Sequence, residues 1–449
     1  MKRLILFMFI FILILSTQDF VNAVSNKIVR VSVGENLVEG NLSSSEPSIS
    51  GDGRHVAFSS LASNLVPDDT NNFSDVFVHD LQTNTTTRVS VNSAGEQADS
   101  GSGPASISGD GRYVAFRSGA TNLVSGEEIL YGQIFVHDRQ TGQTVIVSKS
   151  SSGLVGNLPS SDPSISADGR FVAFQSLSDN LVTGDNNEDW DIFVHDLESQ
   201  NTVLVSKSTN SDIGNGPSNY PSISENGYYV AFQSEATNLV SDDTNETMDV
   251  FLYNLQTGDI SMISTGIGEN AGNGFSGFPS ISNDGRFTAF LSGASNLVEN
   301  DNNATNDIFV FDGLLDTIER VSISSTGTEG NSYSNVPSIS GNGRFVVYTS
   351  AATNLVDDDT NNREDIFLHD RETGETIRVN LGIDGQQANG FSFSKSKVVS
   401  DDGSLVTFYS WATNLVMNDN NNFEEVFVYG VESIEPVQDY SIFLPMVIK

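Results

Sequence analysis

The tripeptide Asn-Leu-Val stands at Asn64, Asn122, Asn180, Asn238, Asn296, Asn354 and Asn414, at spacings of 58, 58, 58, 58, 58 and 60 residues. A longer pattern returns around it. In the first copy, across residues 47–90, it reads Pro-Ser-Ile-Ser-Gly-Asp-Gly-Arg-His-Val-Ala-Phe, Asp-Asp-Thr-Asn-Asn, Asp-Val-Phe-Val-His-Asp and Thr-Arg-Val-Ser. Seven copies of one unit leave few folds open. A unit of this size cannot bury its apolar surface alone and must stack on the next. A length of 449 residues would otherwise suggest about three domains. A core shared between repeats overrides that prior.

Each copy reads as four strands. Pro47–Ser50 is short and led by a proline, which fits a first strand. Asp52-Gly53 is a turn dipeptide leading into a second strand, Arg54–Ser59. Asp75–His79 makes a third, Leu81–Thr85 a turn, and Thr87–Val91 a fourth. No segment of the repeat has a helical period. Val56-Ala57-Phe58 and Val76-Phe77-Val78 are apolar without alternation, as in sheets covered on both faces. The expected fold is therefore all-β: a seven-bladed β-propeller of four-stranded antiparallel blades. An open β-solenoid is the other candidate, although its coils are usually much shorter than 58 residues.

The chain ends indicate how the ring closes. Ile28-Val29-Arg30-Val31-Ser32 matches the fourth-strand segment Thr87-Arg88-Val89-Ser90, and the seventh copy lacks a fourth strand after Val426-Phe427-Val428. Residues 28–33 are expected to complete the last blade, which removes two exposed sheet edges. The pattern Pro-Ser-Ile-Ser-x-Asp-Gly-Arg-x-Val-Ala-Phe, with Asp-Ile-Phe-Val-His-Asp and Thr-Gly after it, resembles the WD40-like PD40 repeat of TolB-type β-propellers over about residues 28–430. The resemblance implies a binding module that docks partner proteins, or a propeller that precedes a peptidase domain; no such extra domain is read here. These copies are longer than the usual repeat, and the added length lies in loops.

The first residues read as a secretory signal: Lys2 and Arg3, the apolar run Leu4–Leu15, and Val21-Asn22-Ala23 as a cleavage site. Residues 1–23 would be removed, 24–431 would form the propeller, and 432–449 would be an acidic linker and short hydrophobic tail. A secreted, extracellular or cell-envelope location follows. The tail is too short to span a bilayer; it reads as an envelope address or as a last strand on the closing blade. With Lys+Arg 21 against Asp+Glu 58, the formal charge is −37. That disfavours nucleic acid and anionic membranes as partners. No membrane span is expected, and a monomer is. The absence of cysteine excludes thiol catalysis, thiolate metal sites and disulfides.

In such a blade the loop between strands two and three and the connection to the next blade emerge on one face. Both are long here, so binding is expected on that face. The candidate metal ligands are Asp-x-Asn-x-x-x-Asp at the entry to strand three: Asp69, Asn71 and Asp75; Asp185, Asn187 and Asp191; Asp243, Asn245 and Asp249; Asp301, Asn303 and Asp307; Asp359, Asn361 and Asp365; and Asp419, Asn421 and Glu425. Copy two has Glu127, Ile129 and Gln133 instead. Two readings stand. Clustered carboxylate and amide oxygens suit Ca²⁺, which takes six to eight oxygen ligands. Asp and Asn also form plain Asx-turns. His79, His137, His195 and His369 occupy one slot in four copies, so they cannot converge and are read as structural. No catalytic set is distinguishable. The expected function is a non-catalytic module binding protein or polysaccharide through the long-loop face. The alternative is an extracellular lyase or glycosidase acting on carbohydrate in the channel. That alternative needs unique polar residues at the channel.

Overall fold

The computed structural model describes residues 27–268 and 271–430. The signal segment and the tail expected from the sequence lie outside the described residues. The chain forms seven four-stranded antiparallel sheets arranged as a propeller. In blade one the strands are Ser44–Ile49, His55–Ser60, Asp75–Asp80 and Thr85–Arg88, from the channel outward. Every residue of the second and third strands of this blade is buried. Apolar runs without alternation are what a sheet pressed between two neighbours requires. Phe58 stacks on Phe77 at 5.9 Å, and equivalent pairs recur down to Tyr348 on Phe367. Core clusters cross the blade boundary: Val76 and Val78 of blade one pack with Val114 and Phe116 of blade two.

The repeated Pro-Ser-Ile-Ser now has a cause. Ser48 Oγ accepts the Ile107 N–H of the next blade, and Ser106, Ser164, Ser222, Ser280 and Ser338 do the same for their neighbours. Ser50 Oγ donates to Asp52 in the tight turn. Beyond it a backbone ring runs round the whole channel exit: residue 52 donates to 109, 109 to 167, 167 to 225, 226 to 283, 283 to 341, 342 to 401, and 401 to 51. Asn-Leu-Val is likewise a staple. Asn64 Oδ1 accepts from Asn41 N–H, its Nδ2 donates to Glu39, and Leu65 enters the core.

The last blade is built as the two ends of the chain suggest. Lys27–Arg30 pairs with Glu425–Gly430, which pairs with Leu405–Ser410. Arg30 ties the seam by donating to both oxygens of Glu425, at 3.0 and 2.8 Å, and to Glu39 at 2.9 Å.

Two expectations need correction. Pro47 does not lead its strand but sits inside it, where the register shifts between Ser45 and Ser48. A bulge leaves its residue out of the ladder, so the missing N–H costs nothing there. The fourth strand is Thr85–Arg88 and not Thr87–Val91. After Arg88 the Ser90 side chain takes over, accepting from Val76 N–H and donating to Asp75. Among the described residues the only helical pieces are two three-residue turns, Glu35–Leu37 and Ile383–Gly385. No described helix is long and apolar enough to cross a membrane.

Candidate functional site

The acidic loops fold as one design. Asn71 Nδ2 donates to Asp75 at 2.8 Å, and Asn71 Oδ1 accepts from Phe73 N–H in an Asx-turn. The same bond joins Asn187 to Asp191, Asn245 to Asp249, Asn303 to Asp307, Asn361 to Asp365 and Asn421 to Glu425. What faces the two acids differs by blade. Arg88 lies 3.1 Å from Asp69 and 3.6 Å from Asp75. Arg320 does the same for Asp301 and Asp307, and Arg378 for Asp359 and Asp365. In blade seven Arg30 serves Glu425, while the carboxylates of Glu39, Asp419 and Glu425 lie within 4.8 Å of one another. Blades three and four put Leu204 and Met262 in the arginine slot. There burial pushes Asp191 up to about 7 and Asp249 up to about 6. In blade two Ile129 is buried, and Gln133 donates to the carbonyls of Gly156 and Leu158.

The repeated histidines are engaged within their own blades. Each Nδ1 meets a threonine hydroxyl, as in His79 to Thr86 at 3.0 Å and His195 to Thr202 at 2.8 Å. Thr86 donates onward to Val33 of the preceding connection, so the hydroxyl accepts from a neutral ring. Burial pushes His79 and His195 down to about 4.

The channel mouth on the long-loop face is the feature missed in the sequence. It is a cavity of about 440 Å³ walled by Pro47, Pro104, Pro163, Pro221, Pro279 and Pro337. The bulge that holds each proline also presents the preceding residue, and that residue changes from blade to blade: Glu46, Asp162, Tyr220, Phe278 and Val336. All five have positive φ, from 44° at Val336 to 55° at Glu46. Non-glycine residues seldom adopt this conformation, and a β-branched one is an outlier. Buried side chains hold the strained amides: Gln175 accepts from Tyr220 N–H at 2.8 Å and Gln233 from Phe278 N–H at 2.9 Å.

Blade seven completes the mouth differently. Its inner strand is only Ser392–Phe393, and the two residues that lengthen this copy let the chain enter the channel. Lys395 Nζ lies 3.0 Å from Glu46. Burial pushes Asp162 up, and Lys395 opposes that shift. Tyr333 OH donates to Glu364 at 2.5 Å. Tyr220 and Phe278 pack with ring centroids 4.6 Å apart, and Phe393 lies 5.5 Å from Tyr409. Deeper in, the channel narrows to about 60 Å³, where Lys397 approaches Glu225 at 3.9 Å. The mouth thus has an aromatic side and a charged side, with three carboxylates, Glu46, Asp162 and Glu364, against one lysine. Two signals in the sequence mark it: the unequal residue before Pro-Ser-Ile-Ser, and the one spacing of 60.

No family model and no curated protein matches the sequence. Solved structures resemble the fold. Oligogalacturonate lyase from Vibrio parahaemolyticus aligns with TM-score 0.52 and 12% identity over 91% of this chain and 94% of that one. The β-propeller domain of the Trilobed protease from Pyrococcus furiosus gives 0.51 and 11% over 88% and 99%. TolB from Acinetobacter baumannii gives 0.41 and 14% over 75% of this chain, which spans 63% of the TolB length. These likenesses show a shared propeller fold.

Proposed function

We propose that this protein is a secreted, non-catalytic binding module whose channel mouth receives a segment of a partner protein bearing aromatic and basic side chains. One observation carries the reading: the repeats agree in the core and diverge where their bulges face the channel. A ring of interchangeable positions on a fixed scaffold is what recognition of a particular partner needs. The apolar proline wall and the aromatic pairs suit buried anchors, and the excess of carboxylates suits a cation on the partner. A pocket of this volume falls in the usual range for ligand sites.

The test is selection from a random peptide display library on the mature chain, with a glycan array in parallel. Peptides enriched in Arg or Lys beside Trp, Tyr or Phe are expected. Binding should be lost in Tyr220→Ser/Phe278→Ser and kept in Arg170→Ala, on the tight-turn face. Retention by the mouth variant would sink the assignment, and hits confined to the glycan array would move it to a sugar.

A second reading has one observation in its favour. The channel does hold unique polar residues, and burial raises Asp162 toward the range of a general acid. A glycosidase acting on a neutral glycan would show as release of reducing ends that is lost in Asp162→Asn.

A further inference from the structure

The arginine that faces the acid pair in four blades is missing from two, and one of those two is left with unpartnered oxygens. In blade four Asp243 is only 8% exposed, and both its carboxylate oxygens are buried without a hydrogen-bond partner. The favourable dipole it meets is the backbone amide of Asn245. The hydroxyl of Thr247, in the same loop, is also buried without a partner. Asp249 is fully buried and carries the charge of Asp243 beside it. Buried polar atoms are rarely orphaned, and two buried carboxylates facing each other without a cation are costly. In blades one, five and six a guanidinium supplies that cation; at the same place blade four has Met262. The donors are all oxygen, carboxylate and hydroxyl, which suits a hard divalent ion and not a soft one.

We propose that the blade-four loop holds a Ca²⁺ ion, with Asp243, Asp249 and Thr247 among its ligands. The arginine and the ion are alternative solutions to one problem. The inference narrows the expectation of calcium from six loops to one: in four others the arginine already occupies the position, and blade three shows no orphaned buried carboxylate. It does not depend on what the channel mouth binds.

The experiment is calorimetric titration of CaCl₂ into the EDTA-treated mature chain, with thermal melts alongside. One ion per chain is expected, and at tenfold excess over Kd the melt should rise by about 2 °C. Met262→Arg should abolish binding. Circular dichroism will show whether this variant folds; if it does not, Asp243→Asn carries the test and should also lose the ion. Absence of binding, a count of six, or a folded Met262→Arg or Asp243→Asn that still takes the ion would each overturn the proposal. A melt that responds to pH but not to calcium would leave the acids protonated and the loops without metal.

Discussion

Replacing Arg30 with alanine tests the closure of the ring at its most exposed joint. Arg30 is nearly buried and Glu425 is 1% exposed at its side chain. The substitution leaves Glu425, Glu39 and Asp419 facing one another with no cation among them. Removing one partner of a buried pair costs about 3–5 kcal/mol, because the remaining charge stays desolvated. The seam it weakens is short: four paired residues, plus Val31 and Val33, which are buried. Full burial of a valine is worth roughly 1.5–3 kcal/mol, so the two together give about 3–6 kcal/mol. The lost ion pair is therefore of the same size as the apolar contribution that holds the strand.

Two readouts separate global from local effects. Propellers of this size unfold with an entropy of roughly 0.8 kcal/mol/K, so a global loss of 3–5 kcal/mol lowers Tm by about 4–6 °C. If the seam opens by itself, amide exchange in Glu425–Gly430 accelerates by about two to three orders of magnitude while Tm barely moves. Arg88→Ala in blade one is the control. It breaks similar ion pairs in a blade whose four strands are continuous in sequence, so exchange there should rise much less. Adding Glu425→Gln to Arg30→Ala should restore much of the loss. Unchanged exchange at the seam together with a Tm within 1 °C of wild type would refute the account of closure.

Two further predictions concern pH and strain. Asp191, Asp249 and Glu424 are raised by burial to about 7, 6 and 7 in the fold, so without metal they destabilise it above those values. Their own contribution should rise as pH falls from 8 toward 5, and that gain ends near their ordinary values around 4. The bidentate arginines hold Asp138, Asp196 and Asp370 far below the usual carboxylate range, and their contribution disappears only as pH falls through those low values. His79 and His195, held down to about 4 by burial, work the other way and cost stability as pH falls below their ordinary value near 6.5. Melts of the EDTA-treated protein should therefore peak near pH 6 to 6.5; a steady climb from pH 6.5 to 8 would contradict this. Val336→Gly relieves a positive φ that costs an L-residue roughly 1–2 kcal/mol, which offsets the lost side chain. Its Tm should stay within about 2 °C of wild type, whereas Val346→Gly, at a fully buried site in the same blade, should drop well beyond that.

The fold was legible because its signals are periodic and local. A spacing of 58, apolar runs without alternation, turn dipeptides and a spare strand at one end suffice for a closed seven-bladed ring. The Asx-turns were also legible, since Asn71 and Phe73 lie two residues apart and the bond between them is local. The arginine that faces them was not. Arg88 is thirteen residues beyond Asp75, and only the pairing of the third and outer strands brings it across. Pro47 was misread because a proline is compatible both with starting a strand and with interrupting one. The mouth escaped notice for a different reason. Aligning copies on what they share draws attention away from positions where they differ, such as the one before Pro-Ser-Ile-Ser, and a spacing of 60 among 58s looks like noise until the two extra residues are seen to place Lys395 against Glu46.

The strain at the mouth argues that the divergence there is selected and not drift. Five left-handed residues at roughly 1–2 kcal/mol each amount to about 5–10 kcal/mol. That is comparable to the whole net stability of a typical domain. Glycine would remove most of the cost at every one of these positions, and blade two, with Pro104 in the slot, has no positive φ there. Glu, Asp, Tyr, Phe and Val in the other five slots share no size, charge or propensity for that backbone region. What they share is a place on the cavity wall. The scaffold tolerates any of them because the serine contacts and the ring of backbone bonds at the channel exit are made by neighbouring residues, and the buried glutamines bond only the backbone amide of the bulge residue, whatever side chain it carries. Strain that persists where a cheaper residue fits, on a backbone indifferent to the side chain, is the pattern expected of positions chosen for what they contact.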